Sequence, residues 1–232
     1  MIEDNFNDKE AIRVLYSALE NVAERVEEES EHLTELDSKI GDADFGVNLH
    51  RGCQAALDAV DNLEGPSPAS FVETIGETLL NEMAGSSGII FGMSLMNASS
   101  ELDDDLTFES VVSFAEVYQD NVADRGDVEV GAKTMYDVVV PVTYALRAVP
   151  EMDTDQGVLD TSARAVEAAR RGAMYTTGPR AKRGRASYTE WRSVGHPDPG
   201  AVGTYIILQA IHAALEDHIG ETCDPGFGDQ FD

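Results

Sequence analysis

The stretch DKEAIRVLYSALENVAERVEEESE, residues 8–31, places Ala11, Leu15, Ala18, Leu19, Val22 and Val26 at spacings of three, four and seven. That is one apolar face of a long amphipathic helix. The same period returns along the chain. A helix is expected over about 47–60, and Phe71, Ile75, Leu79 and Met83 mark another after the breaker Gly65-Pro66-Ser67-Pro68. Further helices are expected over about 89–98, from Phe108 through Tyr118 with Thr107 as N-cap, over 134–148, over 160–174 and over 201–215. Val138-Val139-Val140 could pass for a strand, and Pro141 should kink its helix. The last helix is apolar nearly all round and so should be buried. The reading is all-α: about eight helices in antiparallel succession, in one domain spanning 1–232. Between Thr176 and Gly200 runs a long loop rich in Gly, Arg and Ser, and loops of that length in compact domains usually carry function.

Composition narrows the function. The chain has 232 residues, with 44 Asp and Glu against 16 Lys and Arg, a formal charge of −28. With 42% hydrophobic residues it is a globular chain with an acidic skin rather than a disordered acidic tail. Nucleic-acid backbone and anionic membrane both require a basic face, so neither is an expected partner. Two cysteines, Cys53 and Cys223, build no disulfide framework. The start MIEDNFNDKE has no signal-peptide pattern, and no apolar run reaches membrane-spanning length. A cytoplasmic location is expected. So large a negative charge is also a device of salt-loving organisms, and it implies loosening at low ionic strength.

Four segments could carry chemistry. Asp37-Ser38-Lys39-Ile40-Gly41-Asp42-Ala43-Asp44-Phe45-Gly46-Val47-Asn48 reads as a turn with carboxylates at offsets 0, 5 and 7. Hard oxygen ligands in a glycine-containing loop suit Mg²⁺, whereas the EF-hand pattern is absent. A solvated acidic loop with Asp44 as N-cap is the other reading. Gly85-Ser86-Ser87-Gly88 opens an apolar helix, as an anion nest or as a plain helix start. The run from Gly126 to Thr134 nearly spells a P-loop, but Ala132 stands where lysine should follow the glycine and a helix precedes it. A loop approaching a nucleotide, with Thr134 capping a helix, is what remains. Finally, Arg180, Lys182, Arg183 and Arg185 form the one dense basic stretch, followed by Gly195-His196-Pro197-Asp198-Pro199-Gly200. In so acidic a chain a local basic patch suggests a bound anion, while His196 alone reads as structural. Together these are the parts for Mg-nucleotide binding, with no nucleophile–base pair.

In order along the chain, Asp37 to Asn48, Gly85-Ser86-Ser87-Gly88, Gly131 to Asp137, and Gly184-Arg185-Ala186-Ser187-Tyr188 through Asp198-Pro199-Gly200 resemble the nucleotide-binding L subunit of dihydroxyacetone kinase. The resemblance implies a closed barrel of eight antiparallel helices. It implies two Mg²⁺ on Asp37, Asp42 and Asp44, and a nucleotide against Phe45, Gly46, Val47, Asn48, Ser86, Ser87, Gly131, Arg185, Asp198, Pro199 and Gly200. Phe45 stands where the family has histidine, which exchanges a polar contact for an aromatic face. Thr189-Glu190-Trp191 also departs from the family wording. The chain length resembles the phosphotransferase-system type, in which tightly bound ADP cycles with ATP. A phosphohistidine-carrying M subunit is then the donor, and dihydroxyacetone on a separate K subunit is the acceptor. Arg185 would balance developing charge as the catalytic residue. Two alternatives share the resemblance: the nucleotide-binding domain of a fatty-acid-kinase-like system, and a nucleotide-loaded regulator that docks a transcription regulator. A homodimer is a further expected assembly.

Overall fold

In a computed structural model, residues 8–149 and 154–223 are described; the first seven residues and the side chain of Cys223 lie outside them. The helices are α1 (Asp8–Ile40), α2 (Phe45–Val60), α3 (Pro68–Glu82), α4 (Gly85–Ser99), α5 (Phe108–Gly126), α6 (Tyr136–Arg147), α7 (Asp155–Tyr175) and α8 (Pro199–Cys223). A 3₁₀ segment, Arg185–Ser193, lies between the last two, and no strand occurs among the described residues. Each helix packs on the next, and α8 returns to pack on α1, which closes the ring. Because consecutive helices are neighbours, most of them joined by short connections, they alternate in direction. The expected closed eight-helix barrel is what forms.

The boundaries differ where apolar spacing continues through polar stretches. α1 does not stop near Glu31, because Leu33, Leu36 and Ile40 extend its buried stripe to the end of a helix about 50 Å long. Asp37 is therefore helical, in the last turn of α1, and not in a turn as expected. α5 continues to Gly126 and stops at Asp127, which takes a left-handed conformation (φ 46°). Helix α6 runs through Pro141, and Val138 and Val139 are buried on it rather than in a strand.

Side chains from seven of the eight helices fill one core, including Val26 and Leu33 of α1, Phe45 and Leu49 of α2, and Phe91 of α4. The Ala-rich α7 joins a second cluster, with Ala165, Ala169 and Ala173 against Val138, Val142 and Ala201. Small residues allow close approach: a Cβ on Gly172 would lie 2.3 Å from the carbonyl oxygen of Asp137. Fully burying a Val, Leu or Phe side chain stabilises by about 1.5–3 kcal/mol, so this interior dominates stability. It is packed towards the end where α1, α3, α5 and α7 finish. Towards the other end it opens into an apolar cavity of about 1740 Å³, lined among others by Val14, Leu106, Phe108, Val149, Val158 and Leu215. No described helix is long and apolar enough to cross a membrane.

Candidate metal and nucleotide site

The expected site residues all sit at the packed end of the barrel, where odd-numbered helices finish and even-numbered helices begin. Asp37 comes from the last turn of α1, while Asp42 and Asp44 come from the four-residue turn before α2. Single oxygens of the three carboxylates lie within 4.8 Å of one another. The turn is built to allow this. The Gly41 amide donates to the Asp37 carbonyl at 2.6 Å, and a Cβ at position 41 would fall 1.9 Å from Asp37 Oδ1. Ala43 takes a positive φ of 62°, which turns the chain back. Asp37 is buried, and its Oδ2 accepts the Asp44 and Phe45 amides at 2.9 and 3.2 Å. That ties the end of α1 to the start of α2. Asp44 occupies the N-cap position of α2 without a side-chain capping bond. Burial, then the neighbouring Asp42 and Asp37, raise its pKa. Three crowded carboxylates, one destabilised in its charged form, are a set that a hard divalent cation fits.

Arg185 enters from the 3₁₀ segment, with Nη1 2.8 Å from Asp42 Oδ2. Thus the first and fourth sequence segments, 143 positions apart, meet directly. Gly46 brings α2 so close to α1 that a Cβ would lie 2.1 Å from the Ser30 carbonyl oxygen. Val47 is exposed and Asn48 is buried, its Oδ1 accepting from Arg51 Nη2 at 3.1 Å. The Phe45 ring is directed into the core against Gly203, in one cluster with Leu49, while its backbone amide faces the Asp37 carboxylate. Ser86 lies exposed and Ser87 half-buried in the first turn of α4, which begins after Ala84 without a side-chain cap. Gly85 at φ 79° turns the chain into that helix.

The loop before α6 is held by a residue that the sequence reading did not single out. Thr134 does not cap α6; the N-cap position is Met135, and Thr134 Oγ1 accepts the Tyr136 amide. The organising group is buried Asp137, whose carboxylate accepts the amides of Gly131, Lys133 and Thr134. Gly131 (φ 83°) and Lys133 (φ 64°) adopt the left-handed backbone that this wrapping demands. Lys133 is completely buried, and its ammonium donates to the carbonyls of Thr176 and His196. It therefore pins both ends of the 176–198 connection, and burial lowers its pKa. Only the Asp four residues after Lys133, in the first turn of a helix, hinted at this clamp. Thr176 Oγ1 accepts the Asp198 amide, while Asp198 Oδ2 accepts the Ala201 amide at 2.8 Å and so caps α8. Burial pushes the Asp198 carboxyl up to about 7. Pro199 is buried and Gly200 opens α8 beside Asp198, where a Cβ would lie 3.1 Å from Oδ2. His196 serves through its backbone, as a structural residue.

Comparisons with known proteins identify the family. The DAK2 domain matches residues 39–213. The chain is 35% identical over 191 residues to "PEP-dependent dihydroxyacetone kinase, ADP-binding subunit DhaL" of Escherichia coli, spanning 82% of this chain and 90% of that one. It is 32% identical over 194 residues to the corresponding subunit of kinase 1 of Listeria innocua, spanning 83% and 91%. The native crystal structure of the dihydroxyacetone kinase of C. freundii superposes with a TM-score of 0.68 at 24% identity, over 92% of this chain and 36% of that larger one. At that identity it supports the fold alone. These relatives favour neither the fatty-acid-kinase nor the regulator reading. With the four motifs gathered at one barrel end and these matches over most of its length, the chain belongs to the DAK2 domain family, in the group of the DhaL subunits.

Proposed function

We propose that the chain is the ADP-binding subunit of a phosphoenolpyruvate-dependent dihydroxyacetone kinase, working in the cytoplasm as one nucleotide-binding domain. It would take a phosphoryl group from a phosphohistidine on an M-type subunit and pass it, through ADP cycling with ATP, to dihydroxyacetone on a K-type subunit. The observation that carries the reading is the convergence of Asp37, Asp42 and Asp44 within 4.8 Å, with Arg185 on Asp42. The three carboxylates would hold two Mg²⁺. Such ions supply charge neutralisation of phosphate oxygens. The other roles belong to the chain's own groups. The first turn of α4 at Ser86 and Ser87 offers backbone and hydroxyl donors to an anion. Gly131, presented by the Asp137 clamp, brings a backbone without a side chain close to the ligand. Arg185 would bear on charge developing at the transferred phosphoryl group. Asp198 to Gly200 would border the nucleotide at the start of α8.

A site that hands phosphoryl groups between proteins must face them. Of the large apolar side chains exposed on the barrel, Val47, Ile89, Val130, Tyr175, Tyr188 and Trp191 surround this end. Exposed aromatics beside a site are typical of a docking rim, which supports engagement of partner subunits here. Native mass spectrometry on protein purified in high salt with Mg²⁺, without added nucleotide, tests the reading. Co-purified ADP with two Mg²⁺ is expected. A chain that carries no nucleotide and binds ATP weakly and reversibly would make ATP a consumed substrate and overturn the coenzyme role.

A further inference from the structure

The contact between Arg185 and Asp42 has the form of a competition. Asp42 is one of three carboxylates whose oxygens lie within 4.8 Å of one another, yet its Oδ2 is held at 2.8 Å by the Arg185 guanidinium. A dication coordinated by Asp42 would place two like charges on one small carboxylate, which Coulomb repulsion opposes. The protein backbone at this point is fixed while the side chain is not. Ala186, next in sequence, is buried against Ile40 and Ala181, and Ser193 Oγ at the far end of the segment accepts the Ala181 amide at 3.0 Å. The Arg185 side chain itself is 61% exposed. It can swing from an anchored base.

We propose that Arg185 and a divalent cation compete for Asp42, so that metal loading releases the guanidinium towards the phosphates of an incoming nucleotide. Arg185 then opposes binding of the metal alone and favours binding of the metal with nucleotide. This couples the two loadings and disfavours a site filled by metal without its anion. The proposal rests on the reading of Asp37, Asp42 and Asp44 as metal ligands.

The opposite signs give the test. Mn²⁺ binding would be followed by electron paramagnetic resonance at fixed KCl, first without nucleotide and then ADP binding with saturating Mn²⁺ by calorimetry. Arg185→Gln is expected to bind Mn²⁺ alone about 2- to 5-fold more tightly than the unsubstituted chain, the size of an exposed ion pair. The same variant should bind ADP about 10-fold more weakly in the presence of metal, having lost a charge-assisted hydrogen bond. Arg192→Gln removes an equal charge from the same segment and should leave Mn²⁺ affinity near its original value. Unchanged or weaker Mn²⁺ binding by Arg185→Gln overturns the competition, as does an equal gain in Arg192→Gln, which would reveal only the long-range field. If the unsubstituted chain binds no Mn²⁺, the reading of the carboxylates falls first and the proposal with it.

Discussion

The two ends of the barrel solve the same problem in different ways. Every helix start leaves backbone N–H groups without intrahelical partners. At the hollow end the chain satisfies them itself: Ser67 caps α3 in a reciprocal box with Ser70, Thr107 accepts the Ser110 amide, and Thr154 accepts the Gly157 amide. At the packed end, α2, α4 and α6 receive no hydrogen bond from the side chain of their N-cap residue. Left-handed backbone is also concentrated there, at Ala43, Gly85, Asp127, Gly131, Lys133, Gly184, Glu190 and Gly195, against Gly65 and Leu106 at the hollow end. At the packed end the donors are met from elsewhere in the fold, the Asp44 and Phe45 amides by Asp37 and the Tyr136 amide by Thr134, while α8 alone is capped by its own Asp198. The end with the greater share of left-handed backbone is the one that carries the candidate site.

The comparison can be broken by substitution. The largest expected effect is from Lys133→Met, which removes the buried ammonium and strands the Thr176 and His196 carbonyls; chemical denaturation should show a loss of about 3 kcal/mol. Next, Asp42→Asn should weaken Mg²⁺ binding roughly 100-fold in a titration while leaving the urea midpoint nearly unchanged, since relief of crowding among carboxylates offsets loss of the exposed Arg185 pair. Smaller are the caps of the hollow end: Ser67→Ala and Thr154→Ala should each cost about 1 kcal/mol of stability with nucleotide affinity untouched. Loss of nucleotide affinity in either would break the division between the ends.

A pH dependence tests the packed end separately. Burial raises the Asp198 carboxyl in the folded chain to about 7, above its ordinary value of 3.8. The folded state therefore holds this proton more tightly than the unfolded one. The stability so contributed is full below the ordinary value and is lost as pH rises through about 7. Urea midpoints of the unsubstituted chain should accordingly fall, relative to Asp198→Asn, as pH rises across that window. Parallel curves for the two proteins would count against the raised value.

Much of this was legible before any coordinates. The period of Ala11, Leu15, Ala18, Leu19, Val22 and Val26 announces α1, Thr107 announces the cap of α5, and the breakers separate eight segments, because these are local effects of spacing and backbone chemistry. The reach of α1 was not legible, since a polar stretch around Glu31 hides that Leu33, Leu36 and Ile40 stay on the buried stripe. Nor was the role of Phe45: its sequence neighbours are carboxylates, but its ring belongs to the core against Gly203.

The sequence by itself determined the all-α class, the acidic surface and the residue types of the site, because helical period, charge and ligand chemistry are written locally. Only the tertiary structure decided that Arg185 meets Asp42, that Asp137 organises the Gly131 loop and that Lys133 pins the 176–198 connection. Those contacts join residues whose partners are chosen by where the closing of the ring sets the helix ends. Barrel closure is a property of all eight helices packing at once, and no segment read alone contains it.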